Sequence, residues 1–294
     1  MSGKCKVRGT TQTTTREVNE QFLDWFVAFA EGDGGFYYSN SGGYERLFFK
    51  IRQKNRRVLD YIHSNLRLGS VTRPSDGYYT YQVSARPEIL VLYQIFNGRL
   101  LLAKTNQRFI DNWASKINTA YGVKLTYLGP GQFKGLSNAA LAGLTDSDGS
   151  FGITVRDNDK VIISWSFDQS FEKPFLDNMC ITLGMGRVER KVPSESGYAG
   201  EITDDAWRFT VESLQDSIIL NDYFSKHPLM TDKASTRHKH WSQVLYWKLY
   251  ESASTSLGRR VPPRAVALGR QGPSVVQTNL NHIREYQRLN SLLT

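Results

Sequence analysis

The chain has 294 residues, 40% of them hydrophobic, enough for a large core in one or two domains, and a formal net charge of +9 that suits a polyanionic partner. No apolar run approaches the ~18 residues of a membrane span and no signal-peptide core follows Met1, so a soluble protein in a reducing compartment is expected. Cys5 and Cys180 lie far apart with no CxxC, which argues against a disulfide framework or a thiolate zinc site.

Residues 1–18 are rich in Lys, Arg and Thr without periodicity and read as an N-terminal arm. Asn19 is a good N-cap for a helix in which Phe22, Trp25, Phe26 and Phe29 form a core-facing stripe. Ala28 and Gly32 give the same helix a second, narrow and smooth face, and Asp33-Gly34 follows. From Gly35 the period changes to two. In Tyr44 to Gln53, Leu47, Phe49, Ile51 and Gln53 share one face; Arg46, Phe48, Lys50 and Arg52 share the other, joined by Tyr37 and Ser39 from the preceding strand. A half-buried sheet with a basic open face follows from that pattern. A helix is expected over 56–68, with Val58, Leu59, Ile62 and Leu66 inward and Gly69 closing it. A second hairpin then turns at Pro74-Ser75-Asp76-Gly77, with Tyr79, Tyr81 and Val83 inward and Ser70, Thr72, Tyr78, Thr80 and Gln82 outward. Helices over 87–96 and 105–120 complete an αββαββα unit covering residues 19–121.

Residues 122–135, with Gly129-Pro130-Gly131, read as a linker. Residues 136–252 then repeat the plan: LAGLTDSDG at 141–149 answers FVAFAEGDG at 26–34. Ser137 is the expected N-cap, Leu136 and Leu141 a hydrophobic staple, and Ala139, Gly143 and Ser147 the small-residue face. Strands over 151–155 and 161–169 point Phe151, Ile153, Val155, Val161, Ile163, Trp165 and Phe167 inward, and Thr154, Arg156, Lys160, Ser164, Ser166 and Asp168 outward. After a helix over 173–183, ended by Gly184, residues 186–191 pair with 206–212 and place Arg187, Glu189, Lys191, Arg208 and Thr210 on the open face. Helices over 214–224 and 234–251 finish the half. The halves also align outside the motif, with aromatic-x-x-x-Gln ending at Gln53 and Gln169, and with Lys104 and Lys233 at similar distances beyond Val83 and Val211. Residues 253–294 form a basic extension, six Arg against Glu285, in which 277–293 reads as helical.

An Asp-Gly pair after a helix is usually only a turn, but a duplicated one with the same small face calls for more. Small residues four apart let the two motif helices approach closely, which sets Asp33 and Asp148 side by side at two negative helix poles, where a divalent metal would compensate them. An EF-hand is ruled out because Phe151 stands where that loop needs Gly.

At these residues the chain resembles the LAGLIDADG homing endonucleases in their single-chain, two-motif form, over about residues 19 to 252. The first copy departs from the family lettering at Glu31 and Ala30, yet the position of the family's catalytic acid is Asp in both copies. The resemblance implies an α+β fold, two pseudo-symmetric αββαββα halves whose antiparallel sheets form a saddle over double-stranded DNA. It implies a monomer with an internal pseudo-dyad, reading roughly 20 bp without palindromy at ~10 bp per half. Outward Arg and Lys would read guanine, Gln82 adenine, and Asp168 or Glu189 cytosine. It further implies Mg²⁺, with Mn²⁺ or Ca²⁺ able to substitute for binding, held by Asp33, Asp148 and the carbonyls of Gly32 and Ser147. Gln53, Gln169, Lys104 and Lys233 would surround the water and polarise the phosphate, giving a double-strand break with short 3′ overhangs. Relatives of this form are typically encoded in organellar introns, commonly of fungal mitochondria, and a mitochondrial location is carried over from that; the alternative within the family is a maturase that binds intron RNA. A transcription factor on the same saddle would be expected to lose the acids, and a metallophosphatase would not need the wide polar sheets.

Overall fold

The computed structural model describes residues 4–7, 16–73, 76–156, 160–191 and 205–256. The chain opens with a hairpin of β1 (Lys4–Val7) and β2 (Arg16–Asn19), paired from Lys4↔Asn19 to Val7↔Arg16. Residues 4–7 and 16–18, in the stretch read as an N-terminal arm, thus belong to paired strands; each strand is only four residues long, too short for a periodic signal. Asn19 then caps α1 (Glu20–Asp33), accepting from the Gln21 amide at 2.9 Å. Phe22, Trp25, Phe26 and Phe29 are all buried as the stripe requires, but so are Ala28 and Ala30 behind them, because a second helix covers the small face.

The first sheet has the order β3-β4-β6-β5, made of β3 (Gly34–Ser41), β4 (Tyr44–Gln53), β5 (Ser70–Thr72) and β6 (Tyr79–Val83). Its inner face, Phe36, Leu47, Phe49, Ile51, Tyr81 and Val83, closes on α1 and on α3 (Arg86–Phe96). Phe36 meets Phe96 edge-on with ring centroids 4.9 Å apart, one contact of an aromatic core in which each fully buried ring contributes about 1.5–3 kcal/mol. Between the hairpins, α2 (Arg56–Leu66) buries Val58, Leu59, Ile62 and Leu66 as expected. It stops two residues early, since Arg67 already takes a left-handed φ of 51° and Gly69 repeats the reversal at 66°.

The helix expected over 105–120 is three pieces: α4 (Ala103–Phe109), a π turn over Ile110–Ala114, and α5 (Ile117–Tyr121). Thr105, Phe109, Trp113, Ile117 and Tyr121 are all buried, and a strict four-residue spacing drifts about 40° per step around an ideal α-helix. The wider π turn takes up that drift and keeps the stripe inward.

The second half starts from a 3₁₀ turn over Gly135–Ser137 and α6 (Ala140–Asp148). Ser137 is not the N-cap: its hydroxyl donates to the Lys134 carbonyl, and Asn138 Oδ1 accepts from the Ala140 amide. The sheet order β7-β8-β10-β9 mirrors the first, from β7 (Gly149–Val155), β8 (Val161–Ser170), β9 (Arg187–Arg190) and β10 (Ala206–Val211). Strand β8 alternates buried and half-buried along its whole length, as the sequence requires. Behind it stand α7 (Lys173–Leu183), ended by Gly184 at φ 65°, α8 (Leu214–Lys226) and α9 (Asp232–Ser256). The helix read at 277–293 lies outside the described residues. Cys180 is a free thiol, and among the described residues no helix is long and apolar enough to cross a membrane.

Helices α1 and α6 pack against each other at the centre. A Cβ added to Gly143 would lie 2.2 Å from the Trp25 carbonyl oxygen, and one added to Gly32 would lie 2.5 Å from Ser147 Cβ. The small faces therefore touch backbone to backbone, and both helices end on the same side.

Candidate active site and nucleic-acid interface

The motif acids occupy the adjoining C-terminal ends of α1 and α6. Asp148 Oδ2 lies 2.7 Å from where a Gly32 Cβ would stand, so the second carboxylate borders the backbone just before the first acid. Each acid has its own amide: Gln53 Nε2 donates to Asp33 Oδ2 and Gln169 Nε2 to Asp148 Oδ2, both at 2.8 Å. Both glutamines stand on the inner face near the end of the strand preceding a helix, which is why the two aromatic-x-x-x-Gln runs mark equivalent places.

The lysines cross over. Lys104, from the first half, donates through Nζ to Gln169 Oε1 at 2.5 Å and so joins the Asp148 cluster. Lys233, from the second half, bears electrostatically on Asp33. Sequence reasoning missed the groups that hold these lysines. Glu31 accepts from the Leu101 and Leu102 amides at 2.8 and 2.6 Å, closing the turn that leads into α4. Asp146 accepts from the Met230 and Thr231 amides, each at 2.8 Å, and from Trp25 Nε1 at 2.8 Å, closing the turn that leads into α9. Their shared place two residues before each motif acid was the available signal. Glu172, which caps α4 from the opposite half, had none.

Burial first, and then the charge of Asp148, push the Asp33 carboxyl up to about 7, against the Gln53 hydrogen bond. Burial likewise raises Asp148, opposed by Gln169 and Lys104. Glu31 is pushed up to about 8 by burial despite its two amide donors. The folded protein thus holds the Asp33 proton more tightly than the unfolded chain, and that contribution to stability is lost as pH rises from about 4 through about 7. Asp33→Asn is expected to raise the melting temperature of metal-free protein at pH 8 and to raise it much less at pH 4.5. Thermal melts with chelator at both values check this, and an equal shift at the two would refute it.

The open faces carry the expected side chains. Tyr37 and Ser39 on β3 stand opposite Phe48 and Arg46 on β4; Lys50, Gln82 and Ser70 form one cross-strand row, and Arg52, Thr80 and Thr72 the next. Tyr37 and Phe48 stack at 5.1 Å with Lys50 Nζ 4.9 Å from the Phe48 centroid, and Arg52 lies over the exposed Tyr78 ring and pairs with Asp76. In the second sheet Ser166, Thr210 and Arg187 form a row, Asp168, Arg208 and Glu189 the next, with Ser164 and Thr154 further out and Arg156, Lys160 and Lys191 at the strand ends. Thr80 and Thr210 depart from the expectation of exposed readers, being only 9% and 4% exposed. Each stands on a strand flanked on both sides, where longer neighbours close over a short side chain. Arg208 grips Asp168 at 2.6 and 2.7 Å and Lys191 adds 2.8 Å; these cations outweigh burial and hold the Asp168 carboxyl below its ordinary range. A pocket of about 180 Å³, lined by Lys104, Asp148, Asp168, Gln169, Lys191 and Trp207, joins this open face to Asp148. Among the described residues no group of three or more His, Cys, Asp or Glu gathers as a metal cluster.

Paired acids at the ends of two packed helices, below the polar faces of two matching four-stranded sheets, define a pseudo-dyad saddle protein with one composite centre. The LAGLIDADG endonuclease family model matches residues 26–114 and 141–245, and the chain belongs to that family. "Probable intron-encoded endonuclease 4" of Neurospora crassa is 29% identical over 233 residues, 76% of this chain and 39% of the relative. "Probable intron-encoded endonuclease Cox1-I1b" of Schizosaccharomyces pombe is 24% identical over 251 residues, 76% of this chain and 64% of the relative. The chain thus spans less than two thirds of either curated relative. The crystal structure of the homing endonuclease I-GzeII in complex with its DNA target superposes with a TM-score of 0.59 at 17% identity, covering 89% of this chain and 97% of that one, which establishes the shared fold.

Proposed function

We propose that this protein is a divalent-metal-dependent endonuclease that cuts both strands of a long duplex DNA site, roughly 20 bp and non-palindromic, leaving short 3′ overhangs. The observation that carries the reading is the doubled arrangement of acid, amide and crossing lysine at the junction of α1 and α6. I-GzeII, crystallised with its DNA target on the same fold, supports duplex DNA as the partner. The two open faces differ row by row in sequence, which suits an asymmetric site read by a monomer.

The residues fit a hard divalent cation. The two carboxylates hold protons tightly chiefly because they are buried, Asp33 also because of the Asp148 charge, and with the Gly32 and Ser147 carbonyls they make an all-oxygen set suited to Mg²⁺, or to Mn²⁺ or Ca²⁺ for binding. When bound, such an ion neutralises phosphate charge and lowers the pKa of a water. The chain's own groups do the rest. Gln53 and Gln169 fix the rotamers of Asp33 and Asp148 and orient the attacking water, while Lys104 and Lys233 bring ammonium groups to the non-bridging phosphate oxygens. Tyr37, Phe48 and Lys50 give the first sheet an aromatic and cationic ridge for the groove, and Asp168 preorients Arg208 toward a guanine or phosphate.

Retention of both acids with their amides favours cleavage over a maturase role on intron RNA. The Cox1 name of the fission-yeast relative supports a mitochondrial intron origin for this chain as well. The test is incubation of the purified protein and Mg²⁺ with a library of duplexes. Recovery of one family of sites cut on both strands, and only with metal, is the expected result; binding without cutting would overturn it.

A further inference from the structure

We infer that Glu172 is a positioning residue for one strand only, presetting Lys104 so that the strand served by Asp148 is cut before the strand served by Asp33. The inference rests on the nuclease reading above and adds an order to it.

The two clusters match in their acids and amides but not in their lysines. At Asp148, Lys104 is fixed at both ends. Its Nζ donates to Gln169 Oε1 at 2.5 Å, and its backbone amide donates to Glu172 Oε1 at 2.7 Å, with the Ala103 amide on Oε2 at 3.0 Å. Glu172 is 2% exposed and Gln169 4%, so neither can swing away without opening the core. At Asp33, Lys233 is exposed, and among the described residues it makes no hydrogen bond to Gln53 or Asp33. The residue at the corresponding place before α2 is Asn55, which bonds the Asp232 side chain and leaves the α9 amides alone. A lysine held in place loses little freedom when it meets a phosphate, whereas a mobile one must be ordered in the transition state.

The full-length protein, the duplex recovered from the library and Mg²⁺ make the test, with each strand end-labelled separately and followed at saturating and at limiting protein. Lys104→Ala and Lys233→Ala assign the strands, each slowing one. In wild type the strand slowed by Lys104→Ala should be the one cut first, with nicked duplex accumulating. Glu172→Gln should slow that strand about tenfold at saturation, leaving the other strand's rate and the DNA affinity unchanged, and Glu172→Asp should recover part of the loss. Equal strand rates in wild type, or a Glu172→Gln effect shared by both strands, would overturn the inference while leaving the nuclease reading intact. No cutting of any duplex by wild type would refute both.

Discussion

Asp33→Asn and Asp148→Asn are each expected to abolish double-strand breaks, a loss on the order of 10³-fold or more, while DNA affinity stays within about threefold of wild type. The two substitutions are nearly isosteric and remove one negative charge from a junction where burial and like charge already strain the pair. The sheet faces proposed to bind DNA are untouched, so only the step requiring charge at the dyad should fail. Quantifying linear product from a supercoiled plasmid carrying the site, beside a gel-shift titration, separates the two effects. A variant that still linearises the plasmid at more than a tenth of the wild-type rate would remove that acid from the chemistry.

Gly143→Ala should be strongly destabilising, and Gly143→Val should prevent folding. The added Cβ would meet the Trp25 carbonyl oxygen at 2.2 Å, and the Ala28 Cβ and Phe29 amide nitrogen at 2.9 Å. Two of those three atoms belong to backbone inside a buried helix, so no side-chain rotation relieves the clash. Separating α1 from α6 would open the centre of the core, and a cost of roughly 3 kcal/mol or more for the alanine variant follows from overpacking of this kind. Chemical denaturation of the variant checks this. The same substitution at Gly42, where an added Cβ meets nothing within 4 Å but φ is +60°, is the control and should cost only about 1 kcal/mol.

The duplicated motif made the central helix pair, both acids and both glutamines legible, because the same physical demand had been written twice in one chain. The sheets were legible too: a strict period of two in β4 and β8 can only mean one face in and one face out. What escaped was set by tertiary context. Ser137 is a better N-cap by type than Ala139, yet the chain spends a 3₁₀ turn before α6 begins. The π turn at Ile110–Ala114 arises only because a four-residue stripe must keep facing one core. Glu31 and Asp146 were visible as acids, but their work is on amides some 70 and 85 residues onward, which no local pattern encodes.

The exchange of lysines has a consequence for how such a chain can be divided. Either half, severed at the Gly129-Pro130-Gly131 linker and folded by itself, would own an acid and an amide but lack the cation that its neighbour lends. On the proposed mechanism isolated fragments should be inert, and activity should return only when the two are mixed and reassociate, as in a complementation assay. Mutational drift in one half is likewise answerable to the other, so the twin lobes can diverge in what they read far more freely than in where they meet.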